Sequence, residues 1–201
     1  MRTENLRIIL ILIIGLSIIS CKTTKTDNIL KAPDTWRKEV LEFPLIFAKS
    51  LPYKGEEHIR FAEGWGDIKS REYFSYVFVW ILEKNPDLTI SKLESDMNVY
   101  FTGLMKMGLL TKFKFFKKLP KTKVIFKKSK TSNAHFEGNI EVYDAFFKKE
   151  KILLNIKVSE AFCSKINKHI IYFRLSPKKF KDTLWNDLNK VNIEFNCEND
   201  L

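Results

Sequence analysis

Ten consecutive residues, Tyr73 to Leu82 (YFSYVFVWIL), set the tightest limit on how this chain can fold. Nearly all are aromatic or β-branched, and the run is bounded by charge on one side and by Asn85-Pro86 on the other. Such side chains lose χ1 freedom in a helix and pack well on a pleated surface, so a central strand is expected. Around it, His58–Ala62 reads as a short strand and Gly64-Trp65-Gly66-Asp67 as a turn. Trp36–Leu51 carries Pro44, with Pro52 just beyond, which points to an irregular or edge-strand segment rather than a helix.

Two helices are expected. Ser91-Lys92-Leu93-Glu94 has the capping-box pattern, and Leu93, Met97, Tyr100, Phe101 and Leu104 then share one face, with Gly108 as the stop. Ser176-Pro177 reads as the start of the second, whose face is Phe180, Leu184, Leu188 and Val191. Lys123–Lys128, Ala134–Phe146, Ile152–Ala161 and His169–Leu175 alternate or run apolar and read as strands, with Gly138 as a bulge and Lys148–Lys151 as a hairpin turn. Ile193–Cys197 closes as a further strand. There is no regular βαβ alternation, so the expected fold is α+β: a single domain with an antiparallel-dominated sheet and two amphipathic helices.

The first 21 residues (MRTENLRIILILIIGLSIISC) read as an address. Arg2 and Arg7 precede an uncharged, largely apolar stretch of 12 residues, Ile8 to Ile19, in which Ser17 is the one polar side chain. A bilayer span needs about 20, so the segment has the length of a signal peptide. Its end, Ile18-Ile19-Ser20-Cys21, resembles a bacterial lipobox. That resemblance implies cleavage before Cys21 and acylation of Cys21 by palmitate-like chains, each buried CH₂ contributing about 0.8 kcal/mol to membrane binding. The expected organisation is a signal peptide over 1–20, a lipidated Cys and tether over 21–31, and one domain over 32–201. Neither an Asp nor an acidic pair follows Cys21, so the expected location is the cell envelope, on the periplasmic face of the outer membrane.

The chain has 201 residues and a formal charge of +11, and residues 1–20 contribute Arg2, Arg7 and Glu4, leaving the remainder at +10. From Lys106 to Lys130 there are ten Lys and no acid, interleaved with Phe113, Phe115, Phe116 and Phe126. Lys112, Lys114, Lys117, Lys118, Lys127 and Lys128 are therefore candidate contacts to an anionic surface; the plainer reading is a solvated face. Lys outnumbers Arg 29 to 6, whereas base readers favour the bidentate Arg fork, so nucleic acid is not an expected partner.

With Cys21 lipidated, Cys163 and Cys197 remain, and an oxidising compartment favours a bridge between them. No metal-ligand spacing is present, and no catalytic residue, metal or cofactor is expected. His58, His135 and His169 lie far apart in sequence, and Asp67, Glu72, Glu137, Glu141 and Asp144 form an acid/base pair only if strands converge.

The blocks IRFAEGWGD, EYFSYVFVW, YFTGLM and LSP, followed by Trp185, Leu188, Phe195 and Cys197, resemble a family of exported bacterial proteins with no assigned activity. The resemblance implies a secreted, independently folded module with Cys197 structural. The leading expectation is thus a membrane-anchored envelope lipoprotein that binds a hydrophobic ligand or an envelope protein without catalysing a reaction. An envelope hydrolase acting on lipid or glycan, and a structural component of a membrane complex, are the alternatives. The 17 Phe, 4 Trp and 6 Tyr either line a ligand cavity or fill the core.

Overall fold

The expected central strand runs over Tyr76–Leu82, three residues shorter at its start than Tyr73–Leu82, in a computed structural model that describes residues 27–111, 118–131 and 134–193. The elements in order are β1 (Leu30–Lys31), β2 (Arg37–Glu42), β3 (Gly55–Phe61), β4 (Tyr76–Leu82), α1 (Ile90–Leu110), β5 (Lys123–Lys128), β6 (Phe136–Tyr143), β7 (Lys151–Cys163), β8 (Lys168–Ser176), α2 (Leu184–Lys190) and β9 (Asn192–Ile193). Seven strands form one antiparallel sheet in the order β2-β3-β4-β8-β7-β6-β5, and β1 pairs with β9 in a small ribbon. The fold is α+β, with β2 and β5 as the edges of the main sheet.

All seven residues of β4 are buried because the strand has an apolar layer on each face. Tyr76, Phe78, Trp80 and Leu82 join the main core under α1, whereas Val77, Val79 and Ile81 join a second core under α2 and the β1–β9 ribbon. This explains why the run does not alternate with polar residues. The aromatics fill the main core: Phe78 stacks on Phe173 with ring centroids 4.4 Å apart and on Tyr100 at 5.2 Å.

Several local expectations are corrected. Helix α1 starts two residues earlier than the Ser91 pattern indicates, with Thr89 as N-cap; its side chain accepts the Lys92 N–H at 3.2 Å. Thr89 and Ser91 both offer a start, and the Glu94 carboxylate that the Ser91 capping box would need accepts the Phe126 N–H of β5 instead. Gly108 does not stop the helix. It lies inside α1, where an added Cβ would come within 3.1 Å of Ala145 Cβ and Phe146 ring atoms, so it permits close approach of the β6–β7 connection.

Gly138 makes no bulge, since β5 and β6 pair continuously from Lys123↔Glu141 to Lys128↔Phe136. It faces Phe126, whose ring covers the site a side chain would occupy: a Cβ there would lie 2.7 Å from Phe126 Cδ1 and 2.6 Å from the Ile125 carbonyl oxygen. Ser176-Pro177 does not open α2. Ser176 ends β8, its hydroxyl 2.8 Å from that of Ser75, and the helix begins after Thr183. Finally, residues placed in the tether are folded in. Leu30 is 1% exposed and pairs with Ile193, and Asn28 Nδ2 donates to the Glu39 and Ile59 carbonyls.

Candidate functional site

The carboxylates singled out in the sequence serve different parts of the scaffold. Asp67 Oδ1 accepts the Lys69 N–H, Glu72 Oε2 accepts the Gly64 N–H, and Glu137 accepts the Ser129 hydroxyl. Glu141 pairs with Lys151 at 2.8 Å, which holds its carboxyl below the usual range. Asp144 is fully buried and takes three backbone N–H groups, from Phe146, Phe147 and Lys148, together with the Tyr73 hydroxyl. That pattern closes the β6–β7 connection and leaves no free base. His58 is likewise buried, accepts the Ile29 N–H at Nδ1 and meets Glu56 at 2.9 Å, and burial pushes its pKa down.

Sequence reasoning missed Glu57. Its side chain is fully buried under α1, accepts Trp80 Nε1 at 2.9 Å and the Tyr100 hydroxyl at 2.7 Å, and burial raises its pKa to about 7. The two donors oppose that rise without cancelling it, and Glu39 adds to it. Glu57 sits inside a packed aromatic core, so it holds helix to sheet. Period-2 alternation with His58 and Ile59 on the same short strand gave no sign of it.

Two clefts open on the surface at opposite ends of α1. The first, about 520 Å³, lies between Asn85–Thr89 and the β7–β8 pair. Here the structure gathers groups that are remote in sequence. Burial raises the pKa of Glu160, Asp87 adds to the rise, and His135 and His169 oppose it. No group of three or more His, Cys, Asp or Glu able to hold a metal is found among the described residues.

The second, about 530 Å³, lies at the C-terminal end of α1 and is lined by Lys106, Lys118 and Lys121 together with Leu109, Leu110 and Leu119, with no carboxylate in its wall among the described residues. It runs into the lead of β5, where Thr122 is tied to α1 by Asn98 Nδ2 (3.1 Å to its carbonyl) and by Thr102 (2.9 Å between hydroxyls). Beyond Thr122, Lys123, Lys127 and Lys128 are exposed, and Ile125 between them is 67% exposed. Of the six candidate lysines, Lys118 lines the groove, and Lys127 and Lys128 are exposed at successive positions of β5 that face opposite sides of the sheet. Lys112, Lys114 and Lys117 lie outside the described residues.

Cys163 is buried at the end of β7. Cys197 and Cys21 lie outside the described residues, as does Phe195. Among the described residues no helix is long and apolar enough to cross a membrane.

Comparison with protein-family models, with curated proteins and with solved structures finds no match. The functional reading therefore rests on the residues themselves. Of the four sequence blocks, IRFAEGWGD spans the end of β3 and the following turn, EYFSYVFVW runs into β4, YFTGLM lies in α1 and LSP closes β8.

Proposed function

We propose that this protein is a non-enzymatic docking module that binds an anionic partner through the lysine-lined groove and the adjoining β5 edge, while Cys21 tethers it to the envelope. The observation that carries the reading is the groove wall, which among the described residues holds three lysines, three leucines and no carboxylate. Apolar contact with surrounding cations suits a partner that is both acidic and partly apolar. Packing of the aromatics into the core supports surface docking over carriage of a ligand inside the domain. Arg2, Arg7, the apolar run and Ile18-Ile19-Ser20-Cys21 support the tether, and the reading puts the module on the periplasmic face of the outer membrane.

The test uses the full chain and a Lys106→Ser, Lys118→Ser, Lys121→Ser variant. Binding to polyglutamate is measured across salt concentrations. In parallel, vesicles of phosphatidylcholine alone are compared with vesicles containing phosphatidylglycerol, so that the tether contributes equally to both. The wild type is expected to show a salt-sensitive preference for at least one anionic probe, which the variant loses. Equal binding of both probes by the variant and the wild type would overturn the reading. Labelled palmitate incorporation, lost in Cys21→Ser, checks the anchor separately.

A further inference from the structure

The bond from the Phe126 N–H to Glu94 Oε1, 2.9 Å long, shows which way the β5 edge faces. That N–H points away from β6, so Phe126↔Gly138 is a pair without ladder bonds between its members. Antiparallel alternation then turns the N–H and C=O groups of Val124 and Lys128 outward as well. This edge is neither Pro-bearing nor bulged. It is flanked by lysines, which discourage self-pairing between identical edges while attracting an acidic strand.

From this geometry, and resting on the docking reading above, we propose that β5 takes an acidic, extended polypeptide segment as an eighth strand of the sheet, beside the flank of α1. At Phe126 the incoming strand would displace the Glu94 carboxylate and offer a backbone carbonyl in its place. Two observations name the occupant. Lys123 and Lys127 share one face of β5 with the exposed Ile125, while Val124 and Phe126 face the main core. A partner alternating acidic and apolar residues would match both faces at once, with acids beside the lysines and apolar side chains extending the row of Val124 and Phe126. Glu141, 4.0 Å from Lys123, neutralises part of one lysine and leaves Lys127 and Lys128 with no ion pair among the described residues.

The probe is the peptide acetyl-(Val-Glu)4-amide, titrated against the full chain in detergent at low salt. Val124→Pro removes an outward N–H that the β5–β6 ladder does not use, and edge positions of this kind tolerate Pro. A Lys123→Gln, Lys127→Gln, Lys128→Gln variant removes the charge and keeps the backbone. Strand addition predicts about tenfold weaker peptide binding for each. It also predicts slowed hydrogen exchange at the Val124 and Lys128 amides of the wild type when peptide is added, a readout that stands even if Val124→Pro is unstable.

If the peptide binds Val124→Pro as it binds the wild type and leaves those amides unprotected, strand addition is overturned while the docking reading survives. Vesicle binding without peptide binding has the same meaning and gives the surface to lipid headgroups. Loss of neither probe on removal of the lysines here and in the groove overturns both.

Discussion

Tyr100, in the third turn of α1, donates its hydroxyl to Glu57 on β3 at 2.7 Å, and the carboxyl that receives it is buried with a pKa near 7. An unfolded chain restores that carboxyl to its ordinary value of 4.5. Between these values the folded state holds the extra proton, so stability falls as pH rises from about 4.5 to about 7 and levels off above that. The integrated loss is on the order of 3 kcal/mol. Glu57→Gln should flatten the slope in this window. Urea unfolding at several pH values checks it, and equal slopes for variant and wild type would show that folding leaves the Glu57 pKa unshifted.

Buried hydroxyls offer a contrast. Tyr73 donates to Asp144, which also holds three backbone N–H groups, so Asp144→Ala strands four donors and should cost about 3 kcal/mol or more. Tyr76 is buried with no hydrogen-bond partner for its hydroxyl among the described residues. Tyr73→Phe should therefore destabilise by about 1–2 kcal/mol, whereas Tyr76→Phe should be neutral or stabilising. Denaturant midpoints of the two single variants decide it, and a larger loss for Tyr76→Phe would mean its hydroxyl is satisfied.

Phe78 is fully buried between Phe173 and Tyr100, so Phe78→Ala should cost about 3–5 kcal/mol and leave an apolar hole. Benzene should raise the melting temperature of that variant and leave the wild type unchanged. A comparable rise in the wild type would reveal a ligand space in the core and return the search to an internal carrier.

The bridge expected between Cys163 and Cys197 closes about 35 residues and would contribute about 3–4 kcal/mol in the chain-entropy model. Non-reducing peptide mapping of protein taken from the envelope should find the two Cys peptides joined, with reduction lowering the unfolding midpoint. Two free thiols in that preparation would end the assignment.

Much of the scaffold was legible in sequence, because long apolar runs and helical spacing report burial directly. Tyr73–Leu82 marked β4, and Leu93, Met97, Tyr100 and Phe101 marked the buried stripe of α1. What failed were readings that depend on a distant partner. Ser91 and Glu94 make a local capping pattern, yet Glu94 spends its carboxylate on β5, and Thr89 caps instead. Gly108 and Gly138 looked like punctuation, whereas each is small because Phe146 or Phe126 presses on it. Glu57, and the gathering of Glu160 with Asp87, His135 and His169, depend on strand neighbours that no spacing along the chain reveals. The lysine cluster could be seen, but the groove that gives it a shape required α1 and β5 to be side by side.

The β1–β9 ribbon binds the fortunes of the two chain ends together. Leu30 and Lys31 have Ile193 and Asn192 as their strand partners, and Arg60 fixes the Leu30 carbonyl from β3. Trimming the chain back to Val191 would thus unclasp its beginning as well as its end, and would open a path for proteases beside Trp36 in a segment the cut never touched.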